Sequence, residues 1–437
     1  MIKLNGTNGV FEIDMDSVYY WIQSGNSLIF FTNLNAASTV DFSNANEMIS
    51  AASKIWNETH FKNATIPSNS SSVFNINVSK LKSHSVSTTT ITLNFFEYSV
   101  GLVCVNATEA TLHNNYLANI FYSVNIEKNW IGKTFFRVNP NYTNDITNRL
   151  YNTIQAAITA ASSGNVVIVE KGDYEEFIIL KNGVDLFFEE ETKHYVPSTG
   201  NSISDSGGAV TCKILGKGKF YNLYSGNAGL KINNASTVYF EFDTIEKYGD
   251  DTVGAAYGFG IYGSNGTIYL KGNTINGIGS TGRCTDYDGT VVTADIDVLN
   301  LISKNDVIAF PANDAGSDTN FIYRNAYCET FNNNSSGGYG MFYFDSSGAA
   351  YTIILMNLRI KNFGSCDIFY FYNTHTAIRL WNVFNEGIES TLYSMFGFDP
   401  ETVTFYTNCY STKGVNANIT SAGIGSHSID STFRILR

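Results

Sequence analysis

The rhythm of apolar and polar positions changes several times along the chain, and one stretch organises the rest. Between Arg149 and Gly164 the apolar residues Leu150, Ile154, Ala157, Ile158 and Ala161 fall on one helical face. Asp145, Thr147 or Asn148 can cap the start of such a helix and Gly164 can end it. The pattern then shortens to strands a turn apart: Val166–Val169, Phe177–Leu180 and Val184–Phe188, with Glu170–Asp173 and Lys181–Gly183 as the turns. A short amphipathic helix feeding closely spaced strands predicts a coil of β-structure whose open end the helix covers.

Residues 1–125 read differently. Val10–Ile13, Val18–Ile22 and Ser27–Phe31 are short strand candidates, with Gly25-Asn26 as a hairpin turn. Met48, Ile49, Ala52, Ile55 and Trp56 make a helical stripe within Asn44–Asn57, and Val73–Val78, Thr89–Phe95 and Gly101–Val105 return to strands. This predicts a small β-rich domain crossed by one helix. Leu112–Phe136 has no clear assignment, and the polar Asn139–Asn148 marks a linker, so the divisions are 1–125, a linker over 126–148, and 149–437.

Beyond Phe188 the chain repeats itself. Thr237-Val238-Tyr239-Phe240, Thr267-Ile268-Tyr269-Leu270, Thr352-Ile353-Ile354-Leu355 and Thr402-Val403-Thr404-Phe405 begin alike, and each has a glycine twelve positions after its threonine: Gly249, Gly279, Gly364 and Gly414. Asp243, Asn273 and Asn408 stand six after the threonine, suited to corners that need a left-handed residue. Asn320-Phe321-Ile322-Tyr323 and Ala377-Ile378-Arg379-Leu380 are degenerate copies, and the last sits midway between Thr352 and Thr402. Such steps predict a β-solenoid with a column of Val, Ile, Leu and Phe inside and a tier spacing of about 4.8 Å. A β-sandwich array is the runner-up. Thr192–Gly208 and Asp286–Asp318 read as polar inserts that project from the solenoid.

Composition narrows the picture. Aromatic residues make up 14% and charged residues 15% of 437 residues, which is a folding composition. Thirty-seven glycines against five prolines, together with frequent Asn, fit many tight turns or simply an AT-rich coding sequence. The net charge of −12, with no run of Lys or Arg beyond two, argues against nucleic acid. Neither a signal peptide at Met1–Asn5 nor an apolar run of membrane length is visible, so folding in a cytoplasm is expected. Cys104, Cys212, Cys284, Cys328, Cys366 and Cys409 lie far apart and read as buried thiols.

Ile154-Gln155-Ala156-Ala157-Ile158-Thr159-Ala160-Ala161, Val167-Ile168-Val169-Glu170-Lys171-Gly172-Asp173-Tyr174 and Gly183-Val184-Asp185-Leu186 together resemble the opening of pectate-lyase-like right-handed β-helices, notably those of bacteriophage tailspikes. Lys171 stands where that family usually has proline. The resemblance implies an all-β chain: a right-handed parallel β-helix capped by a short α-helix, after a small N-terminal adaptor. It further implies a virion spike or head or tail fibre, a homotrimer bound to other virion proteins, that contacts host surface polysaccharide, without cofactor, metal or membrane insertion.

The competing class is a polysaccharide hydrolase or lyase on the same fold. Gly249-Asp250-Asp251 and Arg359-Ile360-Lys361 superficially match two pectic-hydrolase motifs, whose carboxylates and anion-binding cations carry the chemistry. The Asn-x-Asp and Gly-His-Gly motifs are missing, and Asp250, Asp251, Arg359 and Lys361 therefore remain weak catalytic candidates. Asp286, Asp288, Asp295 and Asp297 form the densest acidic stretch, without a dedicated Ca²⁺-loop spacing, and read as solvated. A bacterial adhesin is disfavoured by the missing export signal. Tyr257, Phe259, Tyr339, Phe342, Tyr370 and Tyr372 belong to alternating aromatic runs whose outward members suit a subunit interface or sugar stacking.

Overall fold

The computed structural model describes the chain apart from residues 33–35, 70–71, 225–227, 249–257, 279–281, 304–307, 313–319, 331–339, 347–351, 363–366, 373–376, 386–402, 408–409, 412–433 and 436–437, and describes side chains over a somewhat smaller set. Two compact units emerge, with main bodies Met1–Ile131 and Gly132–Arg379. Strand dominates, and parallel pairing accounts for most of it.

The first unit is built on a five-stranded antiparallel sheet, in the order Ala36–Asp41, Ser27–Phe31, Tyr20–Ser24, Val73–Asn77, Asn63–Pro67. The Gly25-Asn26 hairpin forms as expected, with Gly25 at φ +56°. Helix Ala45–Thr59 starts at Asn44, whose side chain accepts from the Glu47 N–H at 3.0 Å while Glu47 reaches back to the Ser43 N–H at 3.1 Å. Behind its apolar stripe lies a buried polar chain. Trp56 Nε1 and Thr65 Oγ1 both donate to Asn75 Oδ1, and Asn75 Nδ2 donates to Gln23 Oε1. The unassigned stretch holds a second helix, Ala107–Val124, again opened by an Asn–Glu pair, Asn106 and Glu109. Its Tyr116, Leu117 and Ile120 enter the core that Ile91 and Leu93 of a three-stranded meander also fill.

In the second unit, successive strands are taken up in rotation by three parallel ladders. Val166–Val169 pairs with Asp185–Phe188 in the first, Asp173–Glu175 with Lys193–Tyr195 in the second, and Ile178–Ile179 with Ile203–Ser204 in the third. Later strands are long enough to run through two ladders, as Thr237–Tyr248 does. The repeat threonines stack directly: Thr211 on Thr237, Thr237 on Thr267, Thr267 on Thr293, and Asn320 on Thr352. Inside, large and small residues alternate between tiers. Phe188 lies against Gly216, and a Cβ on Gly272 would meet the Phe242 ring at 2.2 Å.

Several expectations are corrected. The helix spans Ile154–Ala160, not the whole of Arg149–Gly164, with Thr153 as its N-cap, because Leu150 and Tyr151 pair as a strand with Arg137 and Val138. The buried face of Ile154, Ala157 and Ile158 is as expected. Parallel pairing begins at Phe135–Val138, within the expected linker, since that strand lies in register with Val166–Val169. Thr192–Gly208 is not a projecting insert: Lys193–Tyr195 and Ile203–Ser204 are rungs of the second and third ladders. Nor is the first half of Asp286–Asp318, since Gly282–Ser303 is one continuous strand paired with its neighbours on both sides. Left-handed corner residues are Asn325, Asn357 and Asn382, at φ +58°, +56° and +52°, one position earlier in the repeat than expected. The amides of the first two join in a ladder, Asn357 Nδ2 donating to Asn325 Oδ1 at 3.0 Å. The four repeat glycines, and Thr402 and Asn408, lie outside the described residues.

Candidate functional site

Alternation along a strand sends every second side chain outward, and the outer faces of the first two ladders meet different surroundings. On the first, the outward residues of the later tiers are charged yet buried. Lys271 and Asp297 are both 0% exposed and paired; Arg324 grips Asp295 through Nε at 2.7 Å and Nη2 at 2.8 Å, both residues again 0% exposed. Burial pushes the Asp295 carboxyl up and Lys271 down, each opposed by its partner. Such a face has no access to a soluble ligand.

The second ladder is open. Its outward positions run Glu175, Tyr195, Tyr221, Glu246 in one column, with Asp173, Lys193, Lys219 and Thr244 beside them, all exposed or half-buried. The two tyrosine rings stack, with centroids 5.1 Å apart and planes 16° from parallel. Lys219 Nζ lies 3.5 Å from Asp243 Oδ2, and the half-buried lysine column runs beside the rings. Exposed apolar groups border this surface: Phe177, Leu223 at 52% exposure, and Tyr224, whose hydroxyl donates to the Pro197 carbonyl. Phe177 lies over Gly200, where any Cβ would strike its ring at 2.4 Å. Lys247, buried beneath, donates to the carbonyls of Tyr224 and Tyr248, and burial pushes its ammonium down to about 7.

Arg359 and Lys361 lie further along this same face, half-buried, on either side of the buried Ile360. Their register neighbours are Tyr327 and Glu329, joined by a 2.6 Å hydrogen bond from the Tyr327 hydroxyl to Glu329 Oε2. Asp250, Asp251, Tyr257 and Tyr339 fall outside the described residues. Phe259, Phe342, Tyr370 and Tyr372 sit on third-ladder strands, Phe342 in register with Phe369 and Tyr370 with Tyr343, and their side chains are outside what is described.

Of the acidic stretch, the side chain of Asp288 lies outside what is described, and the other three carboxylates have partners other than a cation. Asp295 and Asp297 are committed to Arg324 and Lys271, Asp286 is buried beside Arg283, and among the described residues no group of three or more His, Cys, Asp or Glu converges. Cys104, Cys212, Cys284 and Cys328 are buried, with burial pushing the Cys212 thiol up to about 12. No helix among the described residues is long and apolar enough to cross a membrane.

Tyr195 and Tyr221 escape a reading based on aromatic runs because each is a single tyrosine. A signal was present in Lys193-His194-Tyr195 and Lys219-Phe220-Tyr221, the same Lys-x-Tyr repeated at the tier step. No family model, curated protein or solved structure matches the chain.

Proposed function

We propose that this chain is a structural protein of a bacteriophage virion, a spike or fibre, in which the first unit attaches to other virion proteins and the three ladders close into a right-handed parallel β-helix. Its open second ladder contacts host surface polysaccharide, and the shaft assembles as a homotrimer. The observation that carries this reading is the stacked Tyr195–Tyr221 pair with Lys193 and Lys219 beside it, on the solvent side of a rigid parallel stack. Aromatic rings cover the apolar face of a sugar, and ammonium groups donate to its hydroxyls or carboxylates.

Binding without cleavage is the favoured use. Glu175 and Glu246 are three tiers apart in their column, about 14 Å at the strand spacing. Glycosidase carboxyls act across about 5–10 Å. Asp173 and Glu175, two apart on one strand and so about 7 Å between Cα atoms, are a pair on this face that falls within that span, and they carry the test of the competing reading.

The test is adsorption of the full chain to capsular polysaccharide from a host. Tyr221→Ala should weaken binding roughly fivefold to tenfold, in line with about 1 kcal/mol for a lost stacking partner, while no new reducing ends or unsaturated sugars appear. Unchanged adsorption in Tyr195→Ala/Tyr221→Ala would remove this face as the binding surface. Cleavage that is lost in Asp173→Asn or Glu175→Gln would make the protein a depolymerase.

A further inference from the structure

On the outer side of the first ladder, Glu241, Lys271 and Asp297 stand in register on three successive strands. All three are buried, and Lys271 Nζ donates to Asp297 Oδ2. The other oxygen of that carboxyl, Oδ1, accepts from Asn325 Nδ2 at 3.0 Å. On the far side of the lysine, Glu241 is fixed by two donors, the Tyr239 hydroxyl to Oε1 at 2.6 Å and the Gly216 N–H to Oε2 at 3.3 Å.

A lysine and an aspartate removed from water have a fate that a surface ion pair lacks. Hydration is what keeps the ammonium and carboxylate charged, and without it a proton shift to a neutral amine facing a carboxylic acid becomes accessible. Here burial acts on the Lys271 ammonium in that direction, against the charges of Asp297 and Glu241, and the neighbouring Arg324 cation adds to it. An unprotonated amine held against a carboxyl carbon is a nucleophile in place, with no diffusion needed to bring the reactants together.

We propose that Lys271 and Asp297 join in an intramolecular isopeptide bond, formed by the folded chain itself, which ties two neighbouring tiers covalently. The ammonium passes a proton to the carboxylate, and Nζ attacks Cγ of Asp297. The N–C bond forms as negative charge collects on Oδ1, where the Asn325 amide N–H meets it. Glu241, next in the column, takes the remaining surplus proton from nitrogen and returns it to the departing hydroxyl. The Cγ–Oδ2 bond breaks and one water leaves, so an ammonium and a carboxylate become one neutral amide plus water. No oxidant, metal or cofactor enters the balance. The adjacent Asp295–Arg324 pair is equally buried but inert in this sense, because a guanidinium stays protonated and is no nucleophile.

Intact-mass measurement of the purified full chain, confirmed as folded by a cooperative thermal transition, tests this. The expected mass is one water below that of the sequence, and a tryptic digest should contain a branched species joining the segments that carry Lys271 and Asp297, with no cleavage after Lys271. Asp297→Asn offers an independent signature, since an amide formed there releases ammonia in place of water. Glu241→Gln keeps the shape of the side chain and should slow bond formation about a hundredfold, the usual contribution of a positioned proton carrier, leaving freshly made protein at full mass. A folded wild-type chain at its full sequence mass overturns the proposal. So does a water loss that maps to peptides lacking either residue.

Discussion

The first and second ladders of the parallel unit are made of the same kind of strand, yet polar residues on their outer faces do opposite things. Lys271, Asp295, Asp297 and Arg324 on the first are buried and paired with one another, and Glu241 beside them is buried against the Tyr239 hydroxyl and the Gly216 N–H. Lys193, Tyr195, Lys219 and Tyr221 on the second face solvent in repeated columns. A charge in a strand therefore says little about water until the other side of its sheet is known. In one place it works as an internal tie between tiers, and in the other as a surface that a ligand can reach.

The contrast is broken most sharply by removing one member of the buried pair. Asp295→Leu leaves the Arg324 guanidinium in the interior without its carboxylate and should cost about 3–5 kcal/mol, read as a fall in the denaturant midpoint. Replacing both, with Asp295→Leu and Arg324→Met, should recover most of that loss. On the open ladder, Lys193→Ala serves as the control and should stay within about 0.5 kcal/mol of the parent.

A smaller effect separates the inside of the second ladder from its outside. His194 lies in the column between Tyr174 and Phe220, fully buried, and burial pushes its imidazolium down to about 4 from the ordinary 6.5. Between those values the unfolded chain binds a proton that the folded chain refuses, so stability falls as the pH drops from about 6.5 towards 4. His194→Phe, which continues the aromatic column, should flatten stability across that window. An unaltered pH profile in the variant would place the acid sensitivity elsewhere.

How much of this was readable in advance follows from what periodicity encodes. The cap helix face, the strands Val166–Val169, Ile178–Ile179 and Asp185–Phe188, and the Thr237–Thr267 register were legible because alternation and the tier step reflect local geometry, whereas Phe135–Val138, Leu150–Tyr151 and Asp173–Glu175 lay in stretches that read as linker, as helix and, in part, as turn. Helix Ala107–Val124 was equally encoded, by Asn106, Glu109 and the apolar Tyr116, Leu117 and Ile120, but its mixed outer face hid it. Asp295 and Asp297 were misjudged as solvated for a deeper reason: their partners are 26 to 29 residues away, at Lys271 and Arg324, and only the register brings them together. The open tyrosine face went unseen because its members are one per tier, a pattern that becomes visible only when the chain is folded at the repeat.

The most direct measurement is lysine acetylation of the native chain followed residue by residue with mass spectrometry. Lys193 and Lys219 should react in the folded chain, while Lys271 stays unmodified there. Modification of Lys271 at the rate of Lys193 in the folded state would contradict the account, because the two outer faces would then share the same solvent.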